Sequence, residues 1–239
     1  DAYNNICTNN SSTQVTLSAV LASDTGTAGG GTLNGTLAVA ASSGVVTYSG
    51  LDYTKAENIK LKATSTGLTT IYSNQIAVSP APTYKYTLNA PADITAGGTR
   101  AAYTVTRYDQ YDNLVTSGIE TVYLYTSSTG TNAAFKDAAT SGNTIISKQI
   151  SSGSSSANFW YYDEKSGNWT ITASDAAPAD GTTGIDDATD ALTVIPASAS
   201  KYKVTAGAST MTAGGSLTIT VTANDTYDNT DTNYDYDST

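Results

Sequence analysis

Val105-Thr106-Arg107-Tyr108-Asp109-Gln110-Tyr111-Asp112-Asn113 reads as a strand running into a turn. Tyr103, Val105 and Arg107 alternate with Thr104, Thr106 and Tyr108, a period of two that packs one face of a strand and wets the other. The turn, Asp-x-Tyr-(Asp/Asn)-Asn, returns as Asp225-Thr226-Tyr227-Asp228-Asn229 behind Val221-Thr222-Ala223-Asn224, and as Asp1-Ala2-Tyr3-Asn4-Asn5. The copies start at 1, 109 and 225, a domain apart, which marks a tandem array.

Other landmarks keep this spacing. Lys85-Tyr86-Thr87-Leu88 answers to Lys201-Tyr202-Lys203-Val204 at an offset of 116, and Thr95-Ala96-Gly97-Gly98 to Thr212-Ala213-Gly214-Gly215 at 117. Ile76 to Ala81 answers to Leu192 to Ala197 at 116, and Asn58 to Ala63 to Asn168 to Ala173 at 110. Offsets that shift while block order holds are the mark of loop insertions.

The chain has 239 residues, enough for about two ordinary domains. Hydrophobic residues make up 39% and charged residues only 13%, yet 17 Tyr and regular β-branched runs argue for folded β structure over disorder. A net charge of −10 repels phosphate backbones and anionic lipid, so no nucleic-acid partner is expected. No apolar run approaches the roughly 20 residues that span a bilayer, so no membrane insertion is expected in this segment. Cys7 is the single cysteine and excludes an internal disulfide framework.

Short β-branched segments separated by Gly, Ser, Asn and Asp clusters predict strands throughout. In the repeat at 82–197 they fall at 84–88, 100–108, 120–126, 144–149, 158–162, 169–174 and 191–195. About seven strands over such a length is the count of an immunoglobulin-like sandwich. The preceding repeat, 1–81, is expected to hold strands at 14–18, 35–40, 45–48, 58–64 and 74–79, and to lack the two that should come before its turn. The last, 198–239, is expected to contain only those two, at 201–205 and 216–223. The fold class expected is therefore all-β: tandem immunoglobulin-like β-sandwich domains, the first and last incomplete in this chain. Pro80, Pro82 and Pro196 stiffen the links.

The strand-turn stretches ending at Asn113 and Asn229 resemble the bacterial Ig-like repeats of invasin- and intimin-type surface proteins, in which an Asp-x-x-Gly-Asn-type turn joins the second and third strands. Phe159-Trp160-Tyr161-Tyr162-Asp163 followed by Gly167 to Ala173 resembles that family's penultimate strand pair. The likeness covers essentially the whole chain and departs at the turn, where Asp112 and Asn4 stand in place of Gly. It implies the fold and an extracellular, cell-surface setting, and it implies no activity.

Two readings of the acidic turns stand side by side. Asp and Asn side chains build tight turns by bonding nearby backbone N–H groups and tolerating left-handed φ. Carboxylate and amide oxygens also suit calcium. On that second reading the candidate ligands are Asp109, Asp112 and Asn113 at one turn, and Asp225 and Asp228 at another. Asp186, Asp187 and Asp190, in the acidic insertion that opens at Asp180, complete the set. No other cofactor is expected.

Catalysis is not expected. The chain has no histidine, which removes every His-based triad, base and zinc site. The Gly-rich stretch 26–31 lacks the Lys-Ser/Thr sequel of a phosphate cradle. Trp160 and Trp169 most simply fill the sandwich core, and of the consecutive Tyr161 and Tyr162 one should face outward. The function expected is a structural repeat segment of a surface filament, sheath or S-layer. Its partners are copies of itself in a fibre or lattice, the open ends being completed either by covalent continuation in a longer polypeptide or by head-to-tail strand addition. The alternative is a stalk or binding domain of an adhesin that recognises a surface glycan or a protein receptor.

Overall fold

The computed structural model describes residues 3 and 5–235, and it is built of β-strands and loops. The chain divides into two units, Asp1–Pro82 with Asp109–Asn113, and Thr83–Tyr108 with Leu114–Thr239.

The first unit contains β1 (Gln14–Leu21), β2 (Leu33–Asn34), β3 (Ala38–Ala40), β4 (Asp52–Tyr53), β5 (Asn58–Thr64), β6 (Ile71–Tyr72) and β7 (Ile76–Ala77). β1 pairs antiparallel with β3 and β5, and β5 pairs with β6 and β7. β2 and β4 form a separate two-stranded ladder. Leu17, Val20, Ala41 and Ile59 are its buried apolar side chains among the described residues, while Val45, Leu68, Ile71 and Ile76 lie exposed. The stretches expected at 35–40 and 74–79 are each shorter or broken. The strand expected at 45–48 is replaced by the turn bridge Ser42–Val45 and by β4 further on. A β-branched run becomes a strand only where a neighbour takes its hydrogen bonds, and among the described residues no strand pairs with 46–48.

The second unit contains β8 (Lys85–Leu88), β9 (Ile94–Thr95), β10 (Ala101–Tyr108), β11 (Glu120–Thr126), β12 (Ala134–Lys136), β13 (Thr144–Ile145), β14 (Ser147–Ile150), β15 (Ser156–Tyr162), β16 (Gly167–Ser174), β17 (Ala188–Ile195), β18 (Lys201–Ala206) and β19 (Ile219–Asn224). β8 to β17 make two five-stranded sheets, ordered β13-β12-β15-β10-β8 and β14-β11-β16-β17-β9. All pairs are antiparallel except β9 on β17, which is parallel. This is an immunoglobulin-like sandwich. Its core takes alternate residues from both sheets: Tyr103, Val105, Phe159 and Tyr161 from one, Val122, Leu124, Ile171, Leu192 and Val194 from the other. Tyr103 stacks on Phe159 at 5.3 Å between ring centres, and Phe135 meets Phe159 edge-on at 5.8 Å.

The stretch expected as one strand at 144–149 is two. β13 joins the first sheet and β14 the second, with Ile146 exposed where the chain crosses. The tryptophans stand beside the core rather than in it. Strand parity turns Phe159 and Tyr161 inward, which leaves Trp160 between them on the outer face, half-buried. Trp169 packs at the core's margin, its Nε1 donating to the Lys165 carbonyl at 3.0 Å and Lys165 Nζ lying 5.8 Å above its ring.

Arg107 continues the inward face of β10 and is fully buried. Its guanidinium pairs with Glu120 at 3.2 Å and donates to the carbonyls of Gly118 at 3.1 Å and Ser154 at 2.8 Å. Such a charge is tolerable in a core only because these acceptors replace the water it lost. β18 and β19 pair with each other along their whole length and with no other strand among the described residues.

Candidate functional site: the repeated turn

The turn at 225–229 follows β19. The Asp225 backbone N–H donates to the Asn229 carbonyl at 2.9 Å, closing the loop. Asp225 Oδ1 accepts from the backbone N–H groups of Tyr227 and Asn229, both at 2.9 Å. Oδ2 accepts from Asn229 Nδ2 at 2.8 Å and from the Ala197 N–H, in the link between the sandwich and β18, at 3.0 Å. Asn229 carries the contact onward. Its Nδ2 donates to the Glu164 carbonyl at 2.8 Å, and its Oδ1 accepts from the Ser166 N–H at 2.8 Å. Both partners lie in the loop joining β15 to β16. The turn therefore fastens the following strand pair to the link and to the sandwich before it.

Tyr227 completes the contact. A Cβ placed on Gly97 would fall on the Tyr227 hydroxyl and ring, so any larger residue there displaces Tyr227. Gly97 has φ of +68° and donates its N–H to the Asp163 carbonyl at 2.9 Å, which ties the Thr95-Ala96-Gly97-Gly98 turn to the same β15–β16 loop.

Asp109–Asn113, in the first unit, repeats these bonds. Asp109 Oδ1 accepts from Tyr111 N and Asn113 N at 2.9 Å each, and Oδ2 from Asn113 Nδ2 and Ala81 N at 2.9 Å each. Asn113 Nδ2 donates to the Thr54 carbonyl and Oδ1 accepts from Ala56 N, both at 2.9 Å. Ala81 and Ala197 differ by 116, Thr54 and Glu164 by 110, and Ala56 and Ser166 by 110. These are the offsets between the repeats themselves. The copy at Asp1-Ala2-Tyr3-Asn4-Asn5 lies largely outside the described residues.

The polarity of the site follows from its donors. Each carboxylate oxygen of Asp109 and Asp225 takes two N–H groups, and both residues are fully buried. Burial pushes these carboxyls up. Bonds from the Asn113 or Asn229 side chain and from surrounding backbone N–H groups outweigh it and hold both below the ordinary carboxylate range. Their lone pairs are committed to N–H donors, the opposite arrangement to cation ligation. Asp112 and Asp228 sit at φ of 64° and 69°. This is the left-handed position where the resembled family carries Gly, and Asp is among the residues that tolerate it. Asp228 also pairs with Lys201 at 2.7 Å on the surface, and that contact lowers its pKa.

The insertion candidates do not converge. The Asp186 backbone bonds Tyr84 and Tyr86 beside β8. Asp190 accepts the Tyr103 hydroxyl at 2.7 Å. Burial, with that bond next, pushes the Tyr103 phenol up. Asp187 turns instead toward Asp175 and Asp180, with carboxylate oxygens of all three within 4.8 Å of one another. Gly181 N–H already bonds Asp187 Oδ2 at 2.9 Å, and Ile185 N–H bonds Asp175 Oδ2 at 3.3 Å. Asp175, at the end of β16, is a member that the acidic run in the sequence did not reveal. The fastening contacts of Thr54, Ala56, Glu164 and Ser166 were also hidden, because they are made by backbone atoms.

No protein-family model and no curated protein matches the sequence. Among solved structures, the fold is similar to Yersinia pseudotuberculosis adhesin InvE at 15% identity and a TM-score of 0.36, over 82% of this chain and 51% of that one. It is similar to domains 1–6 of surface layer protein SbsC at 14% identity and 0.29, over 95% and 24%. A β-glucuronidase from glycoside hydrolase family 2 is similar at 16% identity and 0.38, over 77% and 18%. The chain thus spans between 18% and 51% of the length of these proteins.

Proposed function

We propose that the chain is a non-catalytic structural repeat segment of an extracellular filament, sheath or S-layer. One observation carries this reading: the same five-residue turn makes the same set of hydrogen bonds at two places in the chain, each time to a preceding strand loop and link. A catalytic site is needed once, whereas a fastening that recurs with the repeat is what a load-bearing array requires. The absence of histidine supports the non-catalytic half of the proposal. The partners on this reading are further copies of the repeat.

The test is electron microscopy of native surface assemblies labelled with an antibody against residues 82–197. Regular labelling along continuous filaments or across a lattice supports the proposal. Label confined to isolated, unconnected projections contradicts it.

A second reading, an adhesin stalk with a binding face, is favoured by one groove of about 470 Å³ on the second unit. Arg100, Asn132, Lys136, Tyr162 and Glu164 line it, a mixture of ring and polar groups that suits a sugar. Binding to a glycan array that is lost in Tyr162→Ala selects this reading.

A further inference from the structure

The insertion between β16 and β17 gathers three carboxylates. Asp175 stands directly after β16, Asp180 in the loop that follows, and Asp187 directly before β17. Carboxylate oxygens of all three lie within 4.8 Å of one another. Oxygens held about 2.3–2.6 Å from one calcium ion stand at most about 4.6–5.2 Å apart, so this is a separation that a single ion spans. The insertion belongs to one repeat. The offset between repeats grows from 110 at Ala63 and Ala173 to 116 at Ile76 and Leu192, and the shorter stretch 64–75 holds no Asp or Glu.

Acidic groups gather on many surfaces without a ligand. What distinguishes this cluster is its buried, unpartnered oxygens. Asp175 Oδ1 and Asp187 Oδ1 are both shielded from solvent, and neither has a hydrogen-bond donor. The second oxygen of each accepts a backbone N–H, from Ile185 at 3.3 Å and from Gly181 at 2.9 Å. The carboxylates of the repeated turn are the reverse case, with two N–H groups on every oxygen. A carboxylate oxygen withdrawn from water without a donor is costly unless a cation faces it. Among the described residues no Lys or Arg forms an ion pair with any of the three.

A further unpartnered group lies beside them. Tyr86 is 3% exposed, its backbone N–H donates to the Asp186 carbonyl at 3.0 Å, and its hydroxyl has no hydrogen-bond partner. Burial first, then the charges of Glu120 and Asp175, push its phenol up, so Asp175 acts on that hydroxyl electrostatically.

We propose that Asp175, Asp180 and Asp187 bind a calcium ion. The two buried oxygens ligate it directly, exposed Asp180 closes over it, and a water carried by the ion reaches the Tyr86 hydroxyl. Calcium is favoured over magnesium because a loop offers irregular, adaptable coordination, whereas magnesium demands a near-ideal octahedron. The ion fixes the insertion to the end of β16 and the start of β17. This site goes beyond the structural-repeat reading and does not depend on it.

The test is calcium titration of the chelator-treated 239-residue chain, read by amide hydrogen exchange. The Gly181 and Ile185 amides report the two carboxylates, and Asp187 N–H, which bonds the Gly181 carbonyl at 2.7 Å, reports the loop between them. With a Kd of about a millimolar or tighter, the range of extracellular modules, calcium at about 10 mM slows exchange at all three at least tenfold by mass action. Asp187→Asn keeps the size of the side chain and removes the response. Asp180→Asn, at an exposed position where the fold is not at risk, weakens binding at least tenfold. Asp186→Asn makes the same charge change one residue away and leaves the response intact. Terbium luminescence sensitised by tyrosine gives a second readout: Tyr86 and Tyr125, whose hydroxyl donates to the Ala176 carbonyl at 2.8 Å, are the nearby donors. The signal is displaced by calcium and lost in Asp187→Asn. Exchange at Gly181 and Ile185 unchanged at about 10 mM calcium overturns the proposal. A response reduced equally by Asp186→Asn and Asp187→Asn also overturns it, because that is diffuse attraction of the ion to an acidic loop.

Discussion

Asp225→Asn is the sharpest single perturbation of the fastening turn. It changes almost no volume, so no cavity complicates the outcome. Each carboxylate oxygen of Asp225 accepts two N–H groups, from Tyr227 and Asn229 on one side and from Ala197 and the Asn229 side chain on the other. Whichever way the new amide turns, its NH2 faces two of these donors. Two hydrogen bonds to a charged acceptor are lost, at roughly 1.5–3 kcal/mol each. The turn can open into water, which caps the loss near the lower bound, about 3 kcal/mol, or roughly a hundredfold in the opening equilibrium. Amide hydrogen exchange reads this directly: Ala197, Ser166 and Asn229 should exchange about a hundredfold faster, while the β16 and β17 amides keep their protection. Asp109→Asn should do the same at Ala81, Ala56 and Asn113. Exchange at these amides within about threefold of the parent chain would refute the assignment of the turn as a fastener.

Further predictions concern neighbouring features. Gly97→Ala should release the Tyr227 contact and accelerate exchange at Ser166 and Ala197, whereas Gly214→Ala should cost only the left-handed backbone penalty, about 1–2 kcal/mol, in the 198–235 segment. In acid, the lowered pKa values of Asp109 and Asp225 mean that their stabilisation is present above the unfolded carboxylate value, about 4, and is lost as pH falls through the lower folded one. Exchange protection at Ala81 and Ala197 should therefore survive mildly acid solution and fail only below about pH 4. Calcium at about millimolar concentration, the range of extracellular modules, should leave those same amides unchanged, since protein N–H groups already hold both carboxylates. Arg107→Ala strands Glu120 and empties a filled core position, so the complete sandwich should lose about 3–5 kcal/mol in a denaturant melt.

What the sequence made legible was what alternation and recurrence encode. Glu120–Thr126 and Asn58–Thr64 stand where the alternating pattern places them, because their inward residues Val122, Leu124 and Ile59 are apolar and buried. The all-β sandwich class follows from such segments. Short strands such as β9 and β12 escaped, since two or three residues carry no periodicity. The break between β13 and β14 escaped because Ile146 continues the β-branched run of Thr144 and Ile145, and only the competition between two sheets exposes it. Arg107 falls on the inward face of its strand by parity, yet nothing local announces Glu120 as its partner. The turn was visible as a motif with two chemical readings. Its role became legible only with the backbone atoms of Glu164, Ser166 and Ala197 in place, because a carbonyl or an N–H leaves no mark in a residue's identity.

Single-molecule extension of the chain tests the mechanical account most directly. The largely antiparallel ladders of β8 to β17, and a core that draws on both sheets, should make this sandwich yield as a unit. The predicted trace shows one discrete rupture releasing roughly 110 residues, about 360–400 Å of contour at 3.3–3.6 Å per residue, preceded by a smaller event that Asp225→Asn removes. Gradual lengthening without a rupture of that size, or a first event indifferent to Asp225, would contradict a load-bearing module fastened through its turn.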